Sequence, residues 1–202
     1  MSQGLFTTAY LPPVEYFMQM KHYEEALIEQ HEHYQKQSYR NRCCIAGPNG
    51  INELSIPVDK QGRVKVYTKD LRISRSVPWQ NLHWRSIQTA YNNSPFFLYY
   101  RDELEPFYHR KFDFLLDFNQ ELLQLVLKWL KMRTVIGLTE AFLPLRTLGN
   151  DHRYTIHPKL ESALALPAYY QVFMEKFGFQ ANLSIIDLLF NEGPGGVEGW
   201  RG

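Results

Sequence analysis

Apolar and polar positions run in short strand-like blocks up to about residue 75 and recur at helical spacing beyond it. Residues 5–10 form a β-prone run that Pro12 and Pro13 terminate. Proline at a helix start predicts a helix over residues 14–23, with Val14, Phe17 and Met18 on one side. Residues 26–29 suit a second strand, and strand–turn–helix–strand is how a right-handed parallel crossover begins. Residues 42–46 and 54–58 flank Gly47-Pro48-Asn49-Gly50, a hairpin signal with Asn49-Gly50 as the favoured turn pair. Leu54, Ile56 and Val58 alternate as one buried face, while Pro57 marks an edge or a strand end. Val64, Val66, Leu71 and Ile73 add a further strand or two.

From Trp79 onward the period lengthens. Residues 81–91 and 96–107 read as helices separated by Asn92-Asn93-Ser94-Pro95. The strongest pattern covers residues 112–132, where Phe112, Leu115, Leu116, Leu122, Leu123, Val126 and Leu130 form one stripe. Asp113 and Asp117 come early and Lys128 and Lys131 late, matching the helix dipole. Residues 134–139 suit one more strand, and residues 167–177 and 184–190 short helices. Ser184 and Asp187 have capping-box spacing, and Gly193 suits the helix end. The predicted fold is α/β (or α+β) in one domain. A Rossmann-like mixed sheet with a β-hairpin occupies residues 1–75, a mainly helical half 76–192 and a flexible Gly-rich tail 193–202.

Composition narrows the function classes. A 202-residue chain with 45% hydrophobic residues can bury a substantial core. A net charge of +1 argues against a dedicated nucleic-acid binder, which carries a basic surplus. No apolar run approaches the roughly 20 residues that span a bilayer. The start has no basic n-region, so a cytoplasmic protein is expected. Cys43 and Cys44 are neighbours that cannot easily close an unstrained disulfide, and they read as small packing residues.

Candidate chemistry concentrates in residues 34–42, where Lys36, Arg40 and Arg42 stand among two tyrosines and four amide or hydroxyl side chains. So many donors suit an oxygen-rich anion, a phosphate or a carboxylate. In an extended chain Tyr34, Lys36, Ser38, Arg40 and Arg42 would share one face, too polar to bury without a ligand or counter-charge. The alternative is a solvated strand or loop whose arginines pair with local acids. Glu29, His31 and His33 fall in one row and could ligate a metal, but no second His/Cys cluster supports them, so no metal is assigned. His33 could equally act as a general base. Tyr10 and Glu15 lie where a strand feeds a helix, a common ligand position in parallel folds and also plain capping chemistry. His83 sits near a helix start and could reach a pocket. No glycine-rich phosphate loop, dinucleotide fingerprint or nucleophile signature is present, and no cofactor is expected.

Taken in order, these segments resemble the WbqC-like protein family. The resemblance rests on Tyr10-Leu-Pro-Pro-Val-Glu-Tyr-Phe17, Lys36 through Arg42 with its Asn41-Arg42 centre, and Leu54-Ser-Ile-Pro-Val58. It continues through Trp79, His83-Trp84, Ile87, Ala90-Tyr91, Ser94-Pro-Phe-Phe97 and Tyr99-Tyr100, and closes with residues 182–191. It implies a bacterial role in surface-polysaccharide or O-antigen biosynthesis, with transfer of an aminoacyl or acyl group to an amino sugar as one suggested activity. The expected ligand is then a nucleotide-sugar or activated acyl donor, without a nucleic-acid or membrane partner. Lys36, Arg40 and Arg42 would bind anionic groups, Asn41, Tyr10 and Glu15 would orient substrate, and His33 or His83 would move a proton. A noncatalytic accessory protein of polysaccharide assembly is the alternative. Thr8-Ala9 stand where many members have Gln-Pro, and residues 30–33 replace an aspartate pair. Those departures imply a divergent specificity or a different job.

Overall fold

Phe6, Ala26 and Ile28 are fully buried because the strands that carry them pair in parallel beneath one helix. The computed structural model describes residues 2–145 and 150–197. The chain opens with β1 (Gln3–Thr7), α1 (Val14–Met20) and β2 (Glu25–Glu29). β1 and β2 pair in register from Gln3↔Glu25 to Thr7↔Glu29, and Phe6 packs against Tyr16 of α1 with ring centroids 5.1 Å apart.

The hairpin follows as β3 (Arg42–Gly47) and β4 (Gly50–Ser55). Its register ends at Gly47↔Gly50, so the two-residue turn is Pro48-Asn49 and not Asn49-Gly50. Gly50 comes just after the turn with φ 107°, a conformation open to glycine without strain. The expected strand over 54–58 is divided. β4 ends at Ser55, and β5 (Val58–Asp59) pairs with β6 (Arg72–Ile73). Pro57 lies between them, with no N–H to extend a ladder, and its carbonyl accepts from the Ser74 amide at 2.8 Å. Val64 is exposed and lies in no strand, whereas Val66 is buried.

The helical spacing yields α2 (Trp79–Tyr91), α3 (Phe97–Leu104) and α4 (Leu115–Trp129). A 3-10 turn, Glu105–Tyr108, containing Pro106 ends the α3 region. The α4 stripe is buried as expected, but Phe112 and Leu130 lie just outside the helix. β7 (Val135–Leu138) then joins β2 in parallel, giving the strand order β1-β2-β7. The fold is therefore α/β, with the parallel sheet and the hairpin as separate sheets and most helices later in the chain. Of residues 167–177 only α5 (Met174–Phe177) is helical. α6 (Ile185–Glu192) stops at Gly193, and a short 3-10 helix, Gly193–Val197, follows. The rest of the expected tail, 198–202, lies outside the described residues.

The capping-box reading of Ser184 and Asp187 is overturned. The Ser184 hydroxyl donates instead to the Leu11 carbonyl at 2.8 Å. Asp187 is fully buried and accepts from Tyr91 Oη (2.8 Å), Tyr169 Oη (2.7 Å) and Gln171 Nε2 (2.7 Å). Burial raises its carboxyl pKa, and the three donors pull it back. Among the described residues, no helix is long and apolar enough to cross a membrane.

Candidate functional site

The segment between β2 and β3 decides what the basic cluster can do. It folds through turns, with Gln37 at φ 56°, so the shared face of an extended chain does not form. Lys36 and Gln37 point outward, while Ser38 and Arg40 are buried. Arg40 is 1% exposed and grips Glu32 bidentately, Nε to Oε1 at 2.8 Å and Nη2 to Oε2 at 2.7 Å. Glu32 also accepts from Thr7 Oγ1 at 2.6 Å and Tyr154 Oη at 3.3 Å. Arg42 pairs across the hairpin with Glu53 at 2.6 Å. The local-acid alternative thus describes both arginines. Asn41 donates from Nδ2 to the Ile56 carbonyl at 2.8 Å, and its buried Oδ1 has no partner among the described residues. Asn119 of α4 donates to the Arg40 carbonyl (2.8 Å) and Thr8 Oγ1 (3.2 Å), locking the turn onto the end of β1.

What remains open to a ligand is a shallow depression of about 420 Å³ lined by Tyr34, Lys36, Gln37, Arg42, Val58 and Lys60. The Lys60 ammonium lies 5.6 Å from the Tyr34 ring centroid. Neither Lys36 nor Lys60 has a carboxylate partner among the described residues. Three cations therefore surround one hollow and, among the described residues, only the Glu53 carboxylate is paired against them.

The other predicted residues are dispersed. Tyr10 is fully buried, with its hydroxyl 3.0 Å from His83 Nδ1 and 2.9 Å from Tyr108 Oη. His83 stacks on Tyr10 and meets Trp79 edge-on inside the core. Burial pushes its pKa down to about 4, partly opposed by a hydrogen bond with the Ser55 backbone. It is neutral at neutral pH. Glu15 is buried, and its carboxylate accepts from the Ala163 amide and Asn182 Nδ2, each at 3.1 Å. His33 is exposed and stacks on Tyr67, ring centroids 4.7 Å apart. His31 donates from Nε2 to the Thr139 carbonyl at 3.1 Å. Glu29 is buried beneath it and turned to Arg153. The row of three metal ligands does not assemble, and no group of three His, Cys, Asp or Glu side chains fit to hold a metal occurs among the described residues.

Sequence reasoning placed Glu29 only in a metal row and missed Glu32, Asp151 and the late arginine that organise this end of the sheet. Glu29 accepts from Thr139 Oγ1 (2.8 Å), the Leu143 amide (2.9 Å) and Arg153 Nη1 (3.2 Å). Arg153 also holds Asp151 through Nε (2.9 Å) and Nη2 (2.6 Å). Glu29 and Arg153 are 124 positions apart, so no local pattern links them. His157 joins the region too. Burial lowers its pKa first, and Arg40, Lys159 and Arg42 lower it further. Its Nδ1 accepts the Lys159 amide at 3.2 Å, which leaves the neutral ring's proton on Nε2. Only a bare histidine in the sequence marks that donor.

Carboxyl ends of parallel strands are where open α/β sheets bind ligands, and Thr7, Glu29 and Thr139 stand at those ends here. Over 213 aligned positions the chain is 25% identical to the uncharacterized protein Rv1507c of Mycobacterium tuberculosis, covering 91% of this chain and 90% of that one. No solved structure matches the chain significantly. Residues 8–163 match the WbqC-like protein family, a span that includes the basic turn, the hairpin and the Glu29–Arg153 pair, and the chain belongs to that family.

Proposed function

We propose that this protein binds a phosphate-bearing ligand, a nucleotide-linked sugar or an activated acyl donor, in the cytoplasmic assembly of bacterial surface polysaccharide. The observation that carries the reading is the cationic hollow of Lys36, Arg42 and Lys60, with two of its three charges unpaired by protein carboxylates among the described residues. Lysines present strongly hydrated point charges suited to phosphate oxygens. Tyr34 and Val58 supply the apolar surface on which a sugar or base can rest. Arg40 and Asn41 serve the site by holding the turn, through Glu32 and the Ile56 carbonyl.

Binding without catalysis is the reading the geometry favours over acyl transfer. Of the two proposed proton carriers, His83 is buried and engaged within the core and His33 is stacked on Tyr67, while Glu15, expected to orient substrate, is buried against Ala163 and Asn182. His157 Nε2–H is suited to donate to a ligand oxygen rather than to accept a proton. Titration calorimetry with inorganic pyrophosphate, a nucleoside diphosphate sugar and an acyl nucleotide tests both readings. Binding that weakens at least tenfold in the Lys36→Ala/Lys60→Ala double variant, and falls with rising salt, supports the site. Undiminished binding in that variant would sink it. Turnover of the acyl nucleotide would restore the transferase reading.

A further inference from the structure

A cleft of about 290 Å³ lies between the first turn of α2 and residues 108–112. Trp79, Tyr108 and Phe112 form its apolar walls, and Arg75, His109 and Lys111 its basic rim. Among the described residues that line it, none is a carboxylate. Two of the cations are already matched, Arg75 by Asp113 at 2.6 Å and His109 by Glu105 at 3.3 Å. Lys111 has no ion-pair or hydrogen-bond partner among the described residues. One buried donor is also left over. Trp79 is 5% exposed and packs edge-on against His83 and Phe118, but its indole N–H makes no hydrogen bond among the described residues. Unlike the Trp129 N–H it is not enclosed by protein atoms, and the surface that Trp79 keeps belongs to this cleft.

We propose that this cleft is a second binding site, for a single sugar ring that carries a carboxylate, a uronic acid. Its volume, at the lower end for ligand pockets, suits one ring and no extended chain. A lone unmatched cation suits a single negative charge. The Trp79 N–H adds a donor beside the Lys111 ammonium. So do the first-turn amides of Gln80 and Asn81, which have no side-chain cap and no backbone partner among the described residues. The need for hydroxyl groups follows from the acceptor. Gln80 gives Nε2 to the carbonyls of Phe107 (2.8 Å) and Arg110 (2.7 Å), which fixes its amide and leaves Oε1 without a donor among the described residues. An aryl carboxylate would cover the aromatic walls yet leave that oxygen unmet. A polyhydroxy ring offers it an O–H and lays its C–H face on the aromatic side chains.

The cleft lies beside the cationic hollow and shares no lining residue with it. Val58 of the hollow and Ile73 of the cleft are register partners, so the β5–β6 pair separates the two. The hollow offers two unpaired lysines to a multiply charged phosphate, whereas the cleft offers one to a carboxylate. Each site can therefore be filled without the other.

Titration calorimetry of the full chain with glucuronate, glucose and benzoate tests the proposal, together with the assigned indole N–H resonance of Trp79. Glucuronate should bind the wild type and shift that resonance. Glucose lacks the charge and benzoate the hydroxyl groups, so each should bind about tenfold more weakly or worse, the loss of one charge-assisted hydrogen bond. Lys111→Ala changes an exposed residue, and it should weaken glucuronate by about the same factor while leaving pyrophosphate binding unchanged. The Lys36→Ala/Lys60→Ala variant should bind glucuronate as the wild type does, which separates this site from the hollow. The proposal is overturned if the wild type does not bind glucuronate, or if benzoate or glucose binds as tightly. Undiminished glucuronate binding in Lys111→Ala, its loss in the Lys36→Ala/Lys60→Ala variant, or a Trp79 resonance that does not move also overturns it.

Discussion

At the scale of single residues, burial decides which polar groups can work and which must hold the fold. Arg40 and Glu32 are a desolvated bidentate pair, and removing one member strands a buried charge. Arg40→Ala should therefore cost about 3–5 kcal/mol of folding stability in urea denaturation. Lys36→Ala should leave the unfolding midpoint within experimental error. Equal, small effects of the two substitutions would refute this division between frame and contact. Read as a string, Lys36, Arg40 and Arg42 are three equivalent cations. Their difference was illegible because it depends on a turn and on Glu32, eight residues upstream of Arg40. His83 gives a second residue-scale test. Its pKa is about 4 in the fold against an ordinary 6.5, so between those values the unfolded chain binds a proton that the folded chain does not. Stability is then full above about pH 6.5 and falls as pH drops towards 4. The drop should be shallower in His83→Gln, measured by denaturation at a series of pH values, since His152, also shifted down by burial, remains in both proteins.

At the scale of elements, local pattern was a good guide wherever a single face packs inward. The stripe of α4 and the β1–α1–β2 unit follow from periodicity and from Pro12-Pro13, and both occur within a few residues of the expected bounds. The errors arise where a distant partner overrides a local rule. Pro48-Asn49 forms the turn because the strand register, ending at Gly47↔Gly50, leaves only those two residues unpaired. Ser184 gives its hydroxyl to Leu11, 173 positions away, and leaves α6 without a side-chain cap. Asp187 then anchors α6 to α2 through Tyr91 and to the chain before α5 through Tyr169 and Gln171. Each of those donors meets a buried carboxylate, where a hydrogen bond contributes about 1.5–3 kcal/mol. Tyr169→Phe and Tyr91→Phe should each lower stability by that order, with a non-additive double variant because both share one acceptor. Additive losses would show that the two tyrosines act independently of Asp187.

At the scale of the whole molecule, the sheet-rich and helical halves read from the change of apolar period are joined by contacts between distant parts of the chain. The third strand of the parallel sheet comes from the helical half, since β7 pairs with β2. The segment entering α6 is stitched to the N-terminal region by three backbone bonds, Val14 N to Leu183 O (3.0 Å), Ile185 N to Pro12 O (2.9 Å) and Ser184 N to Cys44 O (2.8 Å). Arg153 closes over Glu29 at the end of β2. None of these joins leaves a local trace, which explains why a boundary near residue 75 looked natural in the sequence. Cutting there would remove a strand from one sheet and the cover from Pro12 to Val14, exposing backbone groups that nothing in residues 1–75 could satisfy. The chain is therefore expected to unfold as a single cooperative unit, with tryptophan fluorescence reporting the helical half and far-ultraviolet circular dichroism the whole. All four tryptophans lie beyond residue 75, so separate unfolding of the halves would split the two transitions. Coincident midpoints are the expected result, together with a residues 1–75 fragment that shows no cooperative transition. A folded fragment, or two resolved midpoints, would mean that the joins through β7 and α6 are too weak to couple the halves.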